Sequence, residues 1–129
     1  MENIFKMLSD YSRVRILNTL SKGDFCVTEL SNILSLSISS ISRHMSKMKL
    51  VGMVTDEKDA QWVYYKLNTK FQTENSLLLD YIQLVSMRDS QLIEDNKRIQ
   101  RYTSSGLCCR DIYNNKETIE NVLKGDANE

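Results

Sequence analysis

The sequence predicts a mainly α-helical protein with a small β-hairpin, which is an α+β fold. Apolar residues recur at helical spacing through most of the 129 residues. One short stretch, rich in aromatic and β-branched residues, interrupts this helical period and is typical of strands. The chain holds 4 Gly and no Pro, so few positions break regular structure.

The composition is that of an ordinary globular protein without net charge. Hydrophobic residues make up 41% and charged residues 26% of the chain, which excludes a wholly disordered protein. The 17 basic and 17 acidic residues cancel, so a polybasic protein is excluded, although a local basic surface is not. The sequence contains no apolar run long enough for a membrane span and no signal-peptide core near its start. We therefore expect a cytoplasmic protein without a membrane partner.

The first half of the chain predicts four short helices. The first covers residues 4–8, and the second ends near Gly23. The third follows a capping-box pattern at residues 26–29, with cysteine where serine or threonine is usual. The fourth is expected to begin near residue 38 and to end by residue 52. Its apolar face is expected to contain Ile38, Ile41, Met45 and Met48.

The second half of the chain changes period and then becomes helical again. A β-like run at residues 53–55, a polar turn and a strand at residues 62–67 predict a two-stranded hairpin. Apolar spacing then predicts one long helix over about residues 73–102, and a last short helix over about residues 115–123. The long helix has too apolar a face to be stable alone, so we expect a partner chain to cover it.

This order of helices and hairpin is that of a winged helix-turn-helix, whose fourth helix enters the major groove of DNA. The polar face of that helix combines small hydroxyls with long cations, which suit base edges and phosphates. Because no acid lies between Glu29 and Asp56, an anionic partner would meet this stretch unopposed. The hairpin tip adds a lysine and a glutamine. The predicted DNA-binding residues are Ser39, Ser40, Ser42, Arg43, Lys47, Lys58 and Gln61.

Five segments between residues 4 and 68 resemble, in order and spacing, motifs of the ArsR/SmtB metal-sensing repressors. The longest are LSDYSRVRIL at residues 8–17 and LSISSISRHM at residues 36–45, and the others are VTEL, VGMV and WVYYKL. The resemblance implies a homodimer, built through the first and the long fifth helices, that represses transcription from an operator. We expect His44 to serve packing and hydrogen bonding, since one histidine cannot build a metal site.

On this interpretation the chain has three parts. Residues 1–72 are the winged helix-turn-helix domain, residues 73–103 the long dimerisation helix, and residues 104–129 a tail with two adjacent cysteines. We do not expect an enzyme, because the sequence has one His, no C-x-x-C motif and no glycine-rich phosphate loop.

The adjacent pair Cys108 and Cys109 predicts the signal that the protein senses. Adjacent cysteines close a disulfide only with strain, so we expect them to remain thiols. Two neighbouring thiolates suit a soft centre such as trivalent arsenic or antimony, and the pair resembles that of a subgroup of arsenic-responsive repressors. Zinc on the fifth helix is set aside, because that helix has no His. The predicted inducer is arsenite or methylarsenite, with antimony(III) as a further candidate and no permanent cofactor.

The role of Cys26 stays open between two arrangements. The resemblance places Cys26 at the first position of a C-V-C motif, but Thr28 replaces the second cysteine. In one arrangement Cys26 joins Cys108 and Cys109 in a three-sulfur site that draws the tail onto the DNA-binding domain. In the other, the adjacent pair binds methylarsenite alone and Cys26 is a small apolar residue. The alternative function is a thiol redox or persulfide switch on the same fold.

Overall fold

The computed structural model describes residues 2–114 and 116–125, which form short helices and one small antiparallel sheet. The elements in chain order are α1 Glu2–Leu8, α2 Tyr11–Leu20, β1 Phe25–Cys26, α3 Val27–Leu34, α4 Ile38–Leu50, β2 Val54–Asp59, β3 Trp62–Leu67, α5 Thr69–Glu74, α6 Ser76–Ser86, α7 Ser90–Ser105, α8 Cys109–Asn114 and α9 Lys116–Lys124. The mainly helical fold with a small β wing is therefore confirmed.

Local hydrogen bonds fix the helix–turn–helix formed by α3 and α4. The predicted capping box is confirmed: the Cys26 N–H donates to the Glu29 carboxylate at 2.9 Å, and the Glu29 N–H donates to Cys26 Sγ at 3.5 Å. Ser35 ends α3 in the left-handed region at φ +55°. Ser37 then caps α4 by accepting the Ser40 N–H at 3.1 Å. These caps set the turn that aims α4.

The core lies where α2, α3 and α4 meet the sheet, and it confirms most of the predicted apolar face of α4. Ile41, Met45 and Met48 are fully buried, each at 0% exposure. The prediction for Ile38 is wrong, because this side chain is 53% exposed. Ile38 is the first residue of α4 and follows the turn directly, so it lies at the edge of the core rather than beneath another element.

The sheet has three strands in the order β1-β3-β2, all antiparallel. The hairpin is confirmed, but β2 runs on to Asp59, so the expected six-residue turn is only two residues long. Ala60, the first residue of that turn, has a left-handed backbone conformation with φ +56°. The extra strand β1 was not predicted, since two residues carry no periodic pattern. It pairs Cys26 with Tyr64, and this places Cys26 at the junction of the sheet and α3.

The single helix expected over residues 73–102 is wrong, because the structure divides this stretch among α5, α6 and α7. Asn75 separates α5 from α6. Asp89 starts α7 by accepting the Leu92 N–H at 3.1 Å, and the Tyr11 hydroxyl also donates to Asp89. Helices α6 and α7 then pack against each other and against α2, which a single straight helix could not do.

The tail packs on the same chain. Helices α8 and α9 both contact α3, and α9 also contacts α7. Four side chains of the two helices are buried. These side chains are Cys109, Ile112, Ile119 and Leu123. The predicted start of the last helix at residue 115 lies outside the described residues, and α9 begins at Lys116. None of the described helices is long and apolar enough to span a membrane.

Candidate DNA interface and thiol site

The solvent face of α4 presents most of the predicted DNA-binding side chains. Ser39, Ser42, Arg43 and Lys47 are exposed, whereas Ser40 is half-buried. Neither Arg43 nor Lys47 forms an ion pair within the described part of the chain. The two cations therefore remain available to an anionic partner on the outer side of the helix.

A buried arginine lies behind this face. The Nε–H of Arg13 on α2 donates to Nδ1 of His44 on α4 at 3.1 Å. Arg13 is only 8% exposed, and His44 is half-buried. Burial lowers the pKa of His44 below its ordinary value, and Arg13 and two cations of α4 lower it further, while Asp10 opposes them. His44 thus serves hydrogen bonding, as expected from the sequence.

The wing carries the predicted side chains, but the end of α4 is less basic than expected from the sequence. Lys58 and Gln61 are exposed near the hairpin tip, as predicted. Lys49, however, pairs with Asp56 of β2 at 2.8 Å, and this carboxylate raises the pKa of Lys49. The expectation of an unopposed basic stretch is wrong for Lys49, because the fold brings in an acid that lies outside that stretch of sequence. The unopposed charge is concentrated on the solvent face of α4.

The structure brings two of the three cysteines together. Cys26, which caps α3, and Cys109, the first residue of α8, form a disulfide with a Cα–Cα distance of 6.9 Å. Both residues are buried, whereas Cys108 is exposed as a free thiol. Cys108 and Cys109 do not form a disulfide with each other, because adjacent cysteines close such a bond only with strain. The expectation that Cys109 remains a thiol is wrong for this state, since the tail lies against α3.

Two buried polar side chains complete the surroundings of these sulfurs. The Glu29 carboxylate accepts the N–H of Cys26 and the hydroxyl of Tyr102. Its nearest oxygen and the sulfurs of Cys26 and Cys109 all lie within 4.8 Å of one another. Burial raises the pKa of Glu29, although both hydrogen bonds oppose this effect. Sequence reasoning identified Glu29 only as a capping residue, and it gave no signal for Tyr102, which is distant in sequence.

Two arginines connect the end of α3 to the rest of the chain. Arg98 of α7 donates to the carbonyl oxygens of Ile33 at 2.6 Å and Asn32 at 2.8 Å. Arg15 of α2 donates to the carbonyl oxygen of Leu34 at 2.7 Å. These bonds satisfy carbonyls that a helix end leaves without partners. The thiol site at the start of α3 and the turn into α4 are thus two ends of one short, clamped helix.

Comparisons with known proteins agree with this geometry. The profile described as "Bacterial regulatory protein, arsR family" matches residues 10–56. The arsenic resistance transcriptional regulator ArsR2 of Pseudomonas putida is 38% identical over 95 residues, which are 73% of this chain and 80% of that protein. The arsenical resistance operon repressor of Escherichia coli is 33% identical over 78 residues, 60% of this chain and 67% of that protein.

A solved structure gives the same result for the fold. HlyU from Vibrio cholerae superposes with a TM-score of 0.53 at 34% identity, covering 59% of this chain and 84% of that one. The family match runs from the start of α2 to the start of β2, so it includes α3 and α4. The chain therefore belongs to the ArsR family of bacterial transcriptional regulators, which are DNA-binding proteins rather than enzymes.

Proposed function

We propose that this protein is an operator-binding repressor that leaves DNA when trivalent arsenic binds its cysteine thiolates. The observation that carries the proposal is the approach of Cys26 to Cys109, with Cys108 next in the chain. Antimony(III) shares the preference of arsenic for sulfur and is the second ligand of this class. The family relationship supports the repressor role, and the relatives named for arsenic resistance support the choice of ligand.

Operator binding is assigned to α4 and the wing. Hydroxyls and cations on the solvent face of α4 suit the major groove, and Lys58 and Gln61 suit the adjacent backbone or minor groove. The predicted residues Ser39, Ser40, Ser42, Arg43 and Lys47 share this helix. Arg43 and Lys47 are expected to supply most of the charge-dependent affinity, because they form no ion pairs within the described chain.

The structure favours a three-sulfur site over the adjacent pair acting alone. In the reduced protein, three thiols exchange with arsenous acid: three As–S bonds form, three As–O bonds break, and three waters leave. Cys109 is turned toward Cys26 rather than toward solvent, so two of the three sulfurs start close together. Cys108 would then move inward from the surface to complete the pyramid. Glu29 would stay a capping residue, since arsenic in such a site takes sulfur ligands.

Release from DNA follows from the position of α3. Ligation at its first turn and the bonds of Arg98 at its last turn act on one eight-residue helix that leads into α4. We propose that arsenic shifts α3 and so changes the spacing between the two copies of α4 in a dimer. To move repression from mostly bound to mostly free, arsenic must favour the DNA-incompetent form by several kcal/mol.

We also propose that the functional unit is a homodimer. Helix α6 exposes an apolar stripe at spacings of four and three residues: Leu77 at 83%, Tyr81 at 56% and Leu84 at 60% exposure. Phe5 of α1 is 65% exposed and Met87 is 76% exposed. A second copy is the fitting cover, because a dimeric helix-turn-helix protein reads two half-sites on DNA.

Thiol protection on the reduced full-length protein tests the proposed inducer site. Arsenite should protect three cysteines per chain from a thiol reagent and should release a labelled operator duplex. The Cys108→Ser and Cys109→Ser variants should each bind the operator as tightly as the parent but fail to release it with arsenite. Protection of only two cysteines, by methylarsenite in particular, would instead support the adjacent pair. Arsenite release by both variants would refute the proposal.

The disulfide itself supports a second candidate, a redox-switched repressor of the same fold. A hydroperoxide would oxidise the thiols of Cys26 and Cys109 to this disulfide and would itself be reduced to an alcohol and water. Cys108→Ser separates the two functions, because it removes a sulfur from the arsenic site and leaves the disulfide pair intact. A redox switch predicts that this variant still leaves the operator with peroxide. An arsenic sensor predicts that it no longer leaves with arsenite.

A further inference from the structure

We infer that His44 is a DNA-contacting residue that donates a hydrogen bond from Nε2 to a phosphate of the operator, and that Arg13 is the positioning residue that makes this donor available. The inference rests on the proposed placement of α4 in the major groove. The contact comes from a neutral side chain that the buried Arg13 holds in place. It would add to the contacts assigned above to the serines and cations of α4. From sequence, we expected only a packing and hydrogen-bonding role for His44.

The tautomer of His44 follows from its partner. A guanidinium N–H can only donate, so Nδ1 of His44 must accept and carries no hydrogen. The single hydrogen of the neutral ring is then on Nε2. Burial and the nearby cations Arg13, Arg43 and Lys47 lower the pKa of His44, which keeps the ring neutral at neutral pH, with Asp10 as the opposing acid. Arg13 therefore selects one of two tautomers that are otherwise similar in energy.

The donor edge of the ring is not fully buried. Within residues 2–114 and 116–125, no acceptor takes a hydrogen bond from Nε2, and no buried side-chain nitrogen or oxygen lacks a partner. The Nε2 atom is therefore not fully buried. His44 shares α4 with the exposed cations Arg43 and Lys47, one residue before and three residues after it. A duplex that contacts those cations passes within reach of this edge.

A neutral donor leaves a different thermodynamic signature from a cation. Arginine and lysine at phosphates release counterions, so losing one lowers the salt dependence of binding by about 0.9 in the log–log slope. A neutral imidazole N–H adds affinity and orientation without releasing counterions. Removing the His44 contact should therefore weaken binding equally at all salt concentrations. This parallel shift would not arise from loss of a cation at the same helix.

The test measures operator affinity against salt at pH 8 with the reduced full-length protein and two isosteric variants. In His44→Asn, the amide oxygen can accept from Arg13 at the Nδ1 position, but nothing replaces Nε2. In His44→Gln, an amide N–H reaches the Nε2 position. We expect the Asn variant to bind about tenfold more weakly with an unchanged salt slope, whereas the Gln variant stays within about threefold of the parent. Equal affinities of parent and Asn variant would overturn the inference.

Arg13→Ala tests the positioning role. Without Arg13, the His44 ring can place its hydrogen on either nitrogen, so nitrogen NMR of the imidazole should change from a pure Nε2–H tautomer to a mixture. Operator affinity should fall about as far as in His44→Asn, and the double variant should fall no further. A parent spectrum with hydrogen on Nδ1 would contradict the assignment.

Arg43→Ala separates this inference from the proposed function. We expect it to reduce both affinity and salt slope, since Arg43 is an exposed cation of α4. If Arg43→Ala acts as expected and His44→Asn changes nothing, only the role of His44 is overturned. If Arg43→Ala has no effect, the placement of α4 on DNA is wrong and the role of His44 is overturned with it.

Discussion

Arg15 and Asp95 form a two-point ion pair that joins α2 to α7. Arg15 Nε lies 2.8 Å from one oxygen of Asp95, and its Nη2 lies 2.9 Å from the other. The same Nη2 donates to the Leu34 carbonyl at the end of α3. Because Asp95 is fully buried, this pair fixes three helices at one point. The turn into α4 thus depends on a carboxylate from the second half of the chain.

Asp95→Asn should lower the free energy of unfolding by about 3 kcal/mol, because it keeps the shape of the side chain and leaves the Arg15 charge buried without its counter-charge. Urea unfolding of the reduced protein measures the loss. The matched control is Glu74→Gln, which breaks the exposed pair with Lys70 at 3.9 Å and should cost less than about 0.5 kcal/mol. Equal losses in the two variants would show that burial does not set the strength of the Arg15–Asp95 pair.

The local elements of the DNA-binding half could be predicted from sequence. The capping box at Cys26 and Glu29 and the buried spacing of Ile41 and Met45 depend on residues three or four apart. Such patterns are set by helix geometry and need no tertiary information. The family motifs lie in this half as well, and the matched family profile ends at residue 56.

The remaining features depend on contacts between residues that are distant in sequence, so local patterns did not predict them. Helix α6 ends at Ser86 and α7 begins after its cap Asp89, and no glycine or proline marks this break. Apolar spacing alone therefore predicted a helix that continues through it. The pairing of Cys26 with Cys109 spans 83 residues, and no local pattern encodes such a contact. The link between Arg13 and His44 was missed for the same reason, since it joins α2 to α4. The candidate thiol site therefore depends on tertiary contacts, whereas α4 could be predicted from local sequence.

The stability of the protein should fall as the pH drops below about 6.5, and His44 should account for part of that fall. Burial holds the pKa of His44 in the folded state below its ordinary value of 6.5. Between these two pKa values the unfolded chain binds the proton first, so the free energy of unfolding decreases as pH falls through that window. Above the window both states are neutral and the contribution is constant.

Unfolding in urea at pH 7.5 and 5.5 measures this effect, and His44→Asn is the control. The Asn variant cannot titrate, but it keeps an acceptor for Arg13, so its stability should change less between the two pH values. Acidic side chains contribute equally to both proteins and cancel in the comparison. An identical pH dependence in parent and variant would mean that His44 is not protonated differently in the folded state.

Leu84→Glu should convert the proposed dimer to a monomer. Leu84 is 60% exposed and lies on the apolar stripe with Leu77 and Tyr81, so a charge here would be buried against the partner. Size-exclusion chromatography with light scattering gives the mass of the particle, and operator affinity should fall by at least a hundredfold because the two half-sites are no longer linked. Ser90→Glu, an exposed polar position at the start of α7, is the control and should stay dimeric. A parent protein that is already monomeric would refute this arrangement.

Arg98→Gln should weaken the coupling between the thiol site and DNA without removing either activity. Arg98 holds the carbonyls of Asn32 and Ile33 just before the turn that leads to α4. If α3 shifts as a rigid unit when arsenic binds at its first turn, loss of the Arg98 bonds lets the last turn of α3 move independently. A smaller part of the shift would then reach α4. We expect the ratio of operator affinities without and with arsenite to shrink by about threefold to thirtyfold, a typical size for a residue that touches neither ligand.

Operator titrations with and without arsenite give that ratio, and thiol protection checks that arsenite still binds. Arg88→Gln is the matched control, because it removes an exposed arginine at the junction of α6 and α7 and should leave the ratio unchanged. If Arg98→Gln weakens operator binding equally in both states, Arg98 only stabilises the fold. If it leaves the ratio intact while arsenite still binds, the signal does not pass through the C-terminal end of α3.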